Sequence, residues 1–352
     1  MKKVLSLILA ALMALSLAAC GAKEPSGGTS SGTSGGTSST NPPATAPADS
    51  SDYPSKTIEI AVPYAAGGGQ DVWARITANY MMKYMGEGAN IIVNNVTGGG
   101  GVTGATYMAT SENSGYYLGS IVPWQLTDQF VQHDIPYDET SFEPVGVGSF
   151  DCNFIIVSPK LGVGTWQEFA DLVKANDGEI TMAMGGNWNV HDFLRLKVED
   201  YLGASFARMS YDGGASALAA VMSGDADCAS VSISEALSAM ESGDVIAICV
   251  TSEERTETAP DVPSLAEMGV DIVHGQWRAL TVPSGTSDDV KTYLSDILAQ
   301  VFADPGYISE CKAAGLDPVD YSGSGAEEYV ANDFVSLKAL VDSFGITPDY
   351  EL

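Results

Sequence analysis

Basic residues are scarce in this chain. Its 352 residues hold 16 lysines and arginines against 45 aspartates and glutamates, a formal net charge of −29. So acidic a chain repels nucleic acid and anionic lipid, which excludes both as partners recognised through charge. Histidine is scarcer, with only His133, His191 and His274, widely spaced. No H-E-x-x-H helix is present, and no Ser/His/Asp order falls on a strand–turn–helix elbow. Nothing assembles a nucleophile, a base and an oxyanion hole, so no enzyme is read. The five cysteines include no C-x-x-C pair and no histidine at metal-ligand spacing, so no metal and no cofactor is expected. Cys228 and Cys249 lie in apolar runs and read as buried small hydrophobes; with Cys152 and Cys311 they leave any disulfide unassigned. Only one predominantly apolar run without charge is long, residues 4–19, so the rest of the chain holds no second candidate span.

That run follows Lys2 and Lys3 and ends Leu17-Ala18-Ala19-Cys20, which resembles a bacterial lipobox. Residues 1–19 therefore read as a lipoprotein signal peptide and Cys20 as the lipidated first residue of the mature chain. This places the protein outside the cytoplasm, held by lipid to the outer face of the cell membrane, or in the periplasm where an outer membrane exists. Residues 20–52 are Gly, Ser, Thr, Pro and Ala with almost no large apolar side chain, the composition of a flexible tether. Two G-x-S-x-G matches there, starting at Gly28 and Gly32, lie between no strand and no helix and carry no chemistry. The remaining 300 or so residues exceed one comfortable core and predict two lobes, residues 53–152 with 277–352 and residues 153–276.

Within them short β-rich runs alternate with glycine turns and helical patterns. Strands are expected over 58–62, 91–93, 117–122, 180–183, 206–209, 229–233, 245–250 and 279–282, with a long connecting run over 145–157. Helices are expected over 71–85, 101–110, 166–174, 190–201, 215–222, 288–302, 305–314 and 326–344. The alternation predicts parallel sheets, whose ligands sit beyond the carboxyl ends of the strands. Two glycine turns fall at such ends. Pro63-Tyr64-Ala65-Ala66-Gly67-Gly68-Gly69-Gln70-Asp71 opens a helix that Asp71 is placed to cap. Thr97-Gly98-Gly99-Gly100-Gly101-Val102-Thr103-Gly104 opens the next. Backbone N–H groups at such helix starts form an anion site that needs no net positive charge.

The second turn formally matches the dinucleotide pattern G-x-G-x-x-G. The following strand ends Val122-Pro123-Trp124-Gln125, with no acid to hold a ribose, so that reading is set aside. In the second lobe the turns are Met184-Gly185-Gly186-Asn187-Trp188-Asn189 and Tyr211-Asp212-Gly213-Gly214. Tyr64, Trp124, Trp188, Tyr211 and Trp277 lie in or beside turns or a predicted crossing, where aromatics wall a cleft or simply pack. His191 opens the helix after residues 185–189. Arg278, beside Trp277, is the basic residue best placed to meet an anion, whereas Arg75 and Arg255 read as surface ion pairs.

These motifs together resemble the extracytoplasmic solute receptors of tripartite tricarboxylate transporters, the Bug family. The resemblance rests on Val62-Pro63-Tyr64 through Asp71, on Val93-Asn94-Asn95 with the 98–104 glycines, on Ser210-Tyr211-Asp212-Gly213, and on Pro260-Asp261-Val262-Pro263-Ser264-Leu265-Ala266-Glu267, which also spells a capping box. It implies an α/β, type II periplasmic-binding-protein fold, two lobes joined by a two-segment hinge. It further implies a monomer that captures a small carboxylate and delivers it to membrane permease subunits. The ligand-binding positions it implies are Tyr64, Gly67, Gly68, Gly69, Gly100 and Gly101 in the first lobe, closed over by 185–189 and 211–213. Thr103, Trp124, Asn187, Trp188, His191, Asp212, Trp277 and Arg278 complete the candidate site. The chain departs from the family pattern at Ala65-Ala66, where many relatives have prolines, and at Asp212, where many have arginine. An acid there points away from a second carboxylate and toward an amino acid or hydroxy acid. An exported esterase and a ligand-presenting signalling receptor are the alternatives.

Overall fold

The computed structural model describes residues 53–211 and 213–349. Residues 1–52, on which the signal-peptide, Cys20 and tether expectations fall, and Asp212 lie outside the described residues. Among the described residues no helix is long and apolar enough to cross a membrane.

The chain opens with β1 (Ile58–Val62), α1 (Gly69–Met85), β2 (Ile91–Asn95), α2 (Val102–Ala109), β3 (Tyr117–Ile121) and α3 (Pro123–Val131). It leaves this lobe along β4 (Phe142–Val157) and builds the second from α4 (Trp166–Ala175), β5 (Thr181–Met184), α5 (Val190–Leu202), β6 (Ala207–Ser210), α6 (Gly214–Ser223), β7 (Cys228–Ser232), α7 (Ile233–Ser242) and β8 (Ile246–Val250). It returns along β9 (Gly275–Pro283) and ends with α8 (Asp288–Phe302), α9 (Pro305–Ala313), β10 (Pro318–Ser322) and α10 (Ser324–Ser343).

The strands run in the order β2-β1-β3-β9-β4-β7-β5-β6, with β8 and β10 also paired to β4. The pairs β1–β2, β1–β3, β5–β6 and β5–β7 are parallel, as right-handed crossover units require. The pairings of β9 with β3 and of β4 with β7, β8, β9 and β10 are antiparallel. The sheets are therefore mixed rather than parallel. The cause is topological: β4 carries the chain out of the first lobe and β9 carries it back, so the two crossings run in opposite directions.

Each lobe buries both faces of its sheet. In the first, Trp73, Met81, Leu294, Leu298, Phe302 and Tyr307 cover one face, and Met108, Leu126, Trp277, Ala279 and Val330 the other. In the second, Phe169, Leu194 and Val198 oppose Ala217, Val221 and Ala236 across the sheet. A further apolar cluster, with Val131, Phe193, Leu196, Leu337 and Leu340, joins α3, α5 and α10, so α10 ties the lobes together.

Three elements escape the sequence reading. Pro123, taken as a strand end, is the first residue of α3, where its missing N–H costs nothing, and the side-chain Oε1 of Gln125 accepts the Val122 N–H at 2.9 Å. The strand predicted to Ile233 stops at Ser232, and α7 begins there with a capping box from Ser232 and Glu235. β10 is a short, polar strand, and its sequence carries no clear alternation.

Candidate functional site

The first turn is held by a network centred on Asp71. Asp71 does not cap α1 in the expected way: Gly68 is the N-cap, and no side chain caps it. Instead Asp71 Oδ2 reaches back to accept the Gly67 N–H at 2.8 Å, while its oxygens also meet Arg75 at 2.8–3.0 Å and Asn95 Nδ2 at 2.9 Å. Burial works against this carboxylate, but Arg75, the Gly67 N–H and Asn95 together hold its pKa below the usual carboxylate range. Asn95 Nδ2 also donates to the Tyr64 carbonyl at 3.0 Å, tying the end of β2 to the turn.

The second turn has four successive residues at positive φ, Gly98 (139°), Gly99 (56°), Gly100 (67°) and Gly101 (114°). Only glycine adopts such a run without strain. The two turns are in contact. A Cβ on Gly104 would lie 2.5 Å from Pro63 Cα, and one on Gly101 would lie 2.8 Å from both the Tyr64 hydroxyl and Gln125 Nε2. That hydroxyl accepts from Trp124 Nε1 and Gln125 Nε2, each at 2.6 Å. Thr103 Oγ1 sits across the turn at Gly98, where a Cβ would approach to 2.6 Å. The N–H groups of Gly67, Gly68 and Gly101 are spent inside the turns. Those of Gly69 and Gly100 have no acceptor among the described residues.

In the second lobe an arginine organises the turn over 185–189. Arg208, on β6, donates to Asp192 at 2.7 and 3.0 Å, to Asn187 Oδ1 at 2.7 Å and to the Gly186 carbonyl at 3.1 Å. Asn187 Oδ1 also accepts from Ser210, so that side chain serves the turn itself. Asn189 caps α5 through the His191 N–H at 3.0 Å, and Asp192 accepts the Trp188 N–H at 2.7 Å. These bonds hold Trp188 at φ 50°, a conformation that costs a non-glycine residue about 1 kcal/mol or more. The neighbouring turn meets this one, since a Cβ on Gly185 would lie 2.6 Å from the Gly214 nitrogen.

Between the lobes lies a cavity of about 390 Å³. Gly67 and Gly69 reach it from the first turn and His191 from α5. Arg278 and Gln276 come from β9, Asp151 and Asn153 from β4, and Ser232 and Glu235 from the start of α7. Strand register explains which hinge residues arrive. Ser149 faces Arg278, Phe150 faces Trp277 and Asp151 faces Gln276, and side chains alternate faces along a strand. Arg278 and Gln276 therefore look into the cavity. Trp277 turns the other way into the core, 1% exposed, with its indole N–H on Asp333 at 2.7 Å. Of the residues singled out in the sequence, Gly67, Gly69, His191 and Arg278 line the cavity. Tyr64, Gly68, Gly100, Gly101 and Thr103 build the adjoining turns. Trp124 and Trp188 pack on the cluster that joins α3, α5 and α10, and Tyr211 packs on the second-lobe core.

Arg278 is 5% exposed. Its Nη1 pairs with Asp151 Oδ2 and donates to Ser149 Oγ at 3.1 Å. Its Nη2 lies against Gly69, where a Cβ would sit 3.0 Å away, and its Nε has no partner. A guanidinium thus stands at the N-terminus of α1, so its charge and the helix dipole act together on an anion. His191 is buried with Nδ1 3.0 Å from Ser230 Oγ, and burial pushes its pKa below the usual 6.5 despite the carboxylates of Glu235 and Asp192. Ser230 is fully buried, so this Ser–His contact offers no accessible nucleophile. A larger hollow of about 830 Å³ lies beyond the hinge, lined by Phe150, Thr256, Lys312, Tyr321 and Tyr329 among others. None of the four glycine turns enters its wall. The smaller cavity, where a helix N-terminus and a buried arginine converge, is therefore the candidate site.

Sequence reasoning missed Asp151, Asn153, Gln276, Ser232 and Glu235. The polar break Asp151-Cys152-Asn153 inside an apolar run was the available signal for the first two.

The model of the tripartite tricarboxylate transporter family receptor matches residues 73–346. The chain belongs to that family, which is one of solute receptors and not of enzymes. It is 29% identical over 279 residues to a protein of Agrobacterium vitis described as a UPF0065 protein in the TAR-I ttuE-ttuC' intergenic region, covering 79% of this chain and 80% of that one. It is 25% identical over 305 residues to protein BugT of Bordetella pertussis, covering 85% and 93%. Among solved structures, a TctC solute-binding protein from Polaromonas superposes with a TM-score of 0.72 at 27% identity, over 83% of this chain and 99% of that one.

Proposed function

We propose that this protein is a lipid-anchored receptor that captures a small carboxylate between its lobes and hands it to the membrane subunits of a tripartite tricarboxylate-type transporter. The observation that carries the reading is the convergence, on one cavity wall, of the Gly69 N–H at the start of α1 and the Arg278 guanidinium. The ligand carboxylate accepts from these donors, and the Gly100 N–H in the adjoining turn extends the same row. The lobes, taken as residues 53–152 with 277–352 and residues 153–276, close by bending β4 and β9, because one ligand touches walls from both. Cys20 carries the lipid, and residues 20–52 tether the receptor near its transporter. Two more distant proteins of this fold were solved with adipate (21% identity) and with malate (22% identity), and small carboxylates of that size are the first ligands to try. Isothermal titration of the mature chain against small mono-, di- and tricarboxylates tests the proposal. Saturable binding that is lost in Gly100→Val, in a chain that still melts cooperatively with only the loss of about 1–2 kcal/mol expected for a side chain at positive φ, supports it. Absence of binding to every carboxylate refutes it.

A further inference from the structure

Resting on the reading of this cavity as a carboxylate site, we infer that its ligand also carries an ammonium group, held by Glu235 and Asn153 at the pole opposite Gly69 and Arg278. The wall is divided by chemistry. On the first-lobe side stand the Gly69 N–H and the Arg278 guanidinium, with the Asp151 carboxylate paired to that guanidinium. On the other side stand acceptors. Asn153, 3% exposed, has its Oδ1 without any hydrogen-bond partner. An unpartnered buried carbonyl costs about 1–3 kcal/mol unless a ligand or water supplies the donor.

Glu235 is fixed beside it. Its Oε2 accepts from the Ser232 N–H at 3.0 Å and from Ser232 Oγ at 2.8 Å. A Cβ on Gly214 would collide with both of its carboxylate oxygens. Glu235 therefore covers the start of α6, the second lobe's own helix N-terminus, and takes the place that a second ligand carboxylate would need. The charge count agrees. Asp151 and Glu235 bring two negative charges to the wall, Arg278 brings one positive charge, and burial keeps His191 on the neutral side. A dicarboxylate entering this cavity meets an excess negative charge, whereas an amino acid presents a carboxylate to one pole and an ammonium to the other.

The test is titration of the mature chain with matched pairs that differ in one group: 4-aminobutyrate against succinate, and L-alanine, L-glutamine and L-aspartate against propionate, glutaramate and succinate. At least one amino acid should bind about tenfold or more tightly than its match. Glu235→Gln keeps the capping box with Ser232, so its melting curve should stay near that of the parent. It should weaken the amino acid by about 10- to 100-fold while the match binds no less tightly, succinate gaining from the removed negative charge. Asn153→Ala should act in the same direction. Tight binding of the matches with none of the amino acids overturns this inference and leaves the receptor reading intact. Equal loss of both ligand kinds in Glu235→Gln also overturns it. Absence of binding to every compound overturns both readings.

Discussion

Arg278→Gln separates the two roles that one buried guanidinium plays. In the folded chain Arg278 neutralises Asp151, and in the proposed complex it meets the ligand carboxylate. Removing one partner of a buried ion pair costs about 3–5 kcal/mol when the other is left without compensation. Asp151 is only partly stranded: its side chain is 21% exposed, and Oδ1 keeps donors from Ser149 Oγ and the Asp317 N–H, each at 3.2 Å. The expected loss is therefore toward the low end, about 2–3 kcal/mol, read from urea unfolding. Affinity should fall by about 10- to 100-fold, the value of a hydrogen bond to a charged group. Adding Asp151→Asn removes the stranded charge. The double variant should regain at least about half of the lost stability and none of the lost affinity. If the double variant binds like the parent, Arg278 acts only by neutralising Asp151, and the proposed carboxylate contact is wrong.

Gly101→Ala places a Cβ at φ 114° against Tyr64 and Gln125 and should cost about 1–3 kcal/mol while weakening ligand binding, as read from paired melts and titrations. Asp128 is buried against Tyr137 and Gln132, and burial pushes its carboxyl from 3.8 up to about 6. Between about pH 4 and 6 the native state thus keeps a proton that the unfolded chain has released, so this group's contribution to stability falls as pH rises through the window. Asp128→Asn should remove that fall, gaining up to about 3 kcal/mol over the parent at pH 7 and nothing at pH 3.5; an identical pH profile in both proteins contradicts the assignment. The four described cysteines, Cys152, Cys228, Cys249 and Cys311, are buried and unpaired. Alkylation followed by mass spectrometry should label them only after unfolding, with no added reductant; native labelling or a reductant requirement would show otherwise.

Most of the fold was legible because each lobe repeats one local pattern, a β-branched run, a glycine turn and an amphipathic helix. The run ending at Val62 and the glycines beyond it located β1 and the α1 turn without tertiary information. The mixed sheet was not legible, since the directions of β4 and β9 follow from where the chain crosses and returns. The same limit decided the hinge residues. Trp277 and Arg278 are adjacent in sequence and equally attractive as ligand contacts, and only the register against Ser149 and Phe150 sends one to the core and the other to the cavity. Glu235 was hidden for a different reason. Its S-x-x-E capping signal at Ser232 was present, but the apolar residues leading to Ile233 read as an uninterrupted strand. Arg208 illustrates the reverse case. Its place in the sequence marks it only as one of the chain's few basic residues, yet four hydrogen bonds make it the residue that shapes the turn over 185–189.

The most direct measurement is a crystal structure of the mature chain grown with a small carboxylate that binds it in titration. The account predicts a carboxylate within hydrogen-bond distance of the Gly69 N–H and the Arg278 guanidinium, in the cavity closed by Asn153 and Glu235. A ligand seated instead in the larger hollow beside Phe150 and Tyr329, with the Gly69 N–H facing only water, would contradict it.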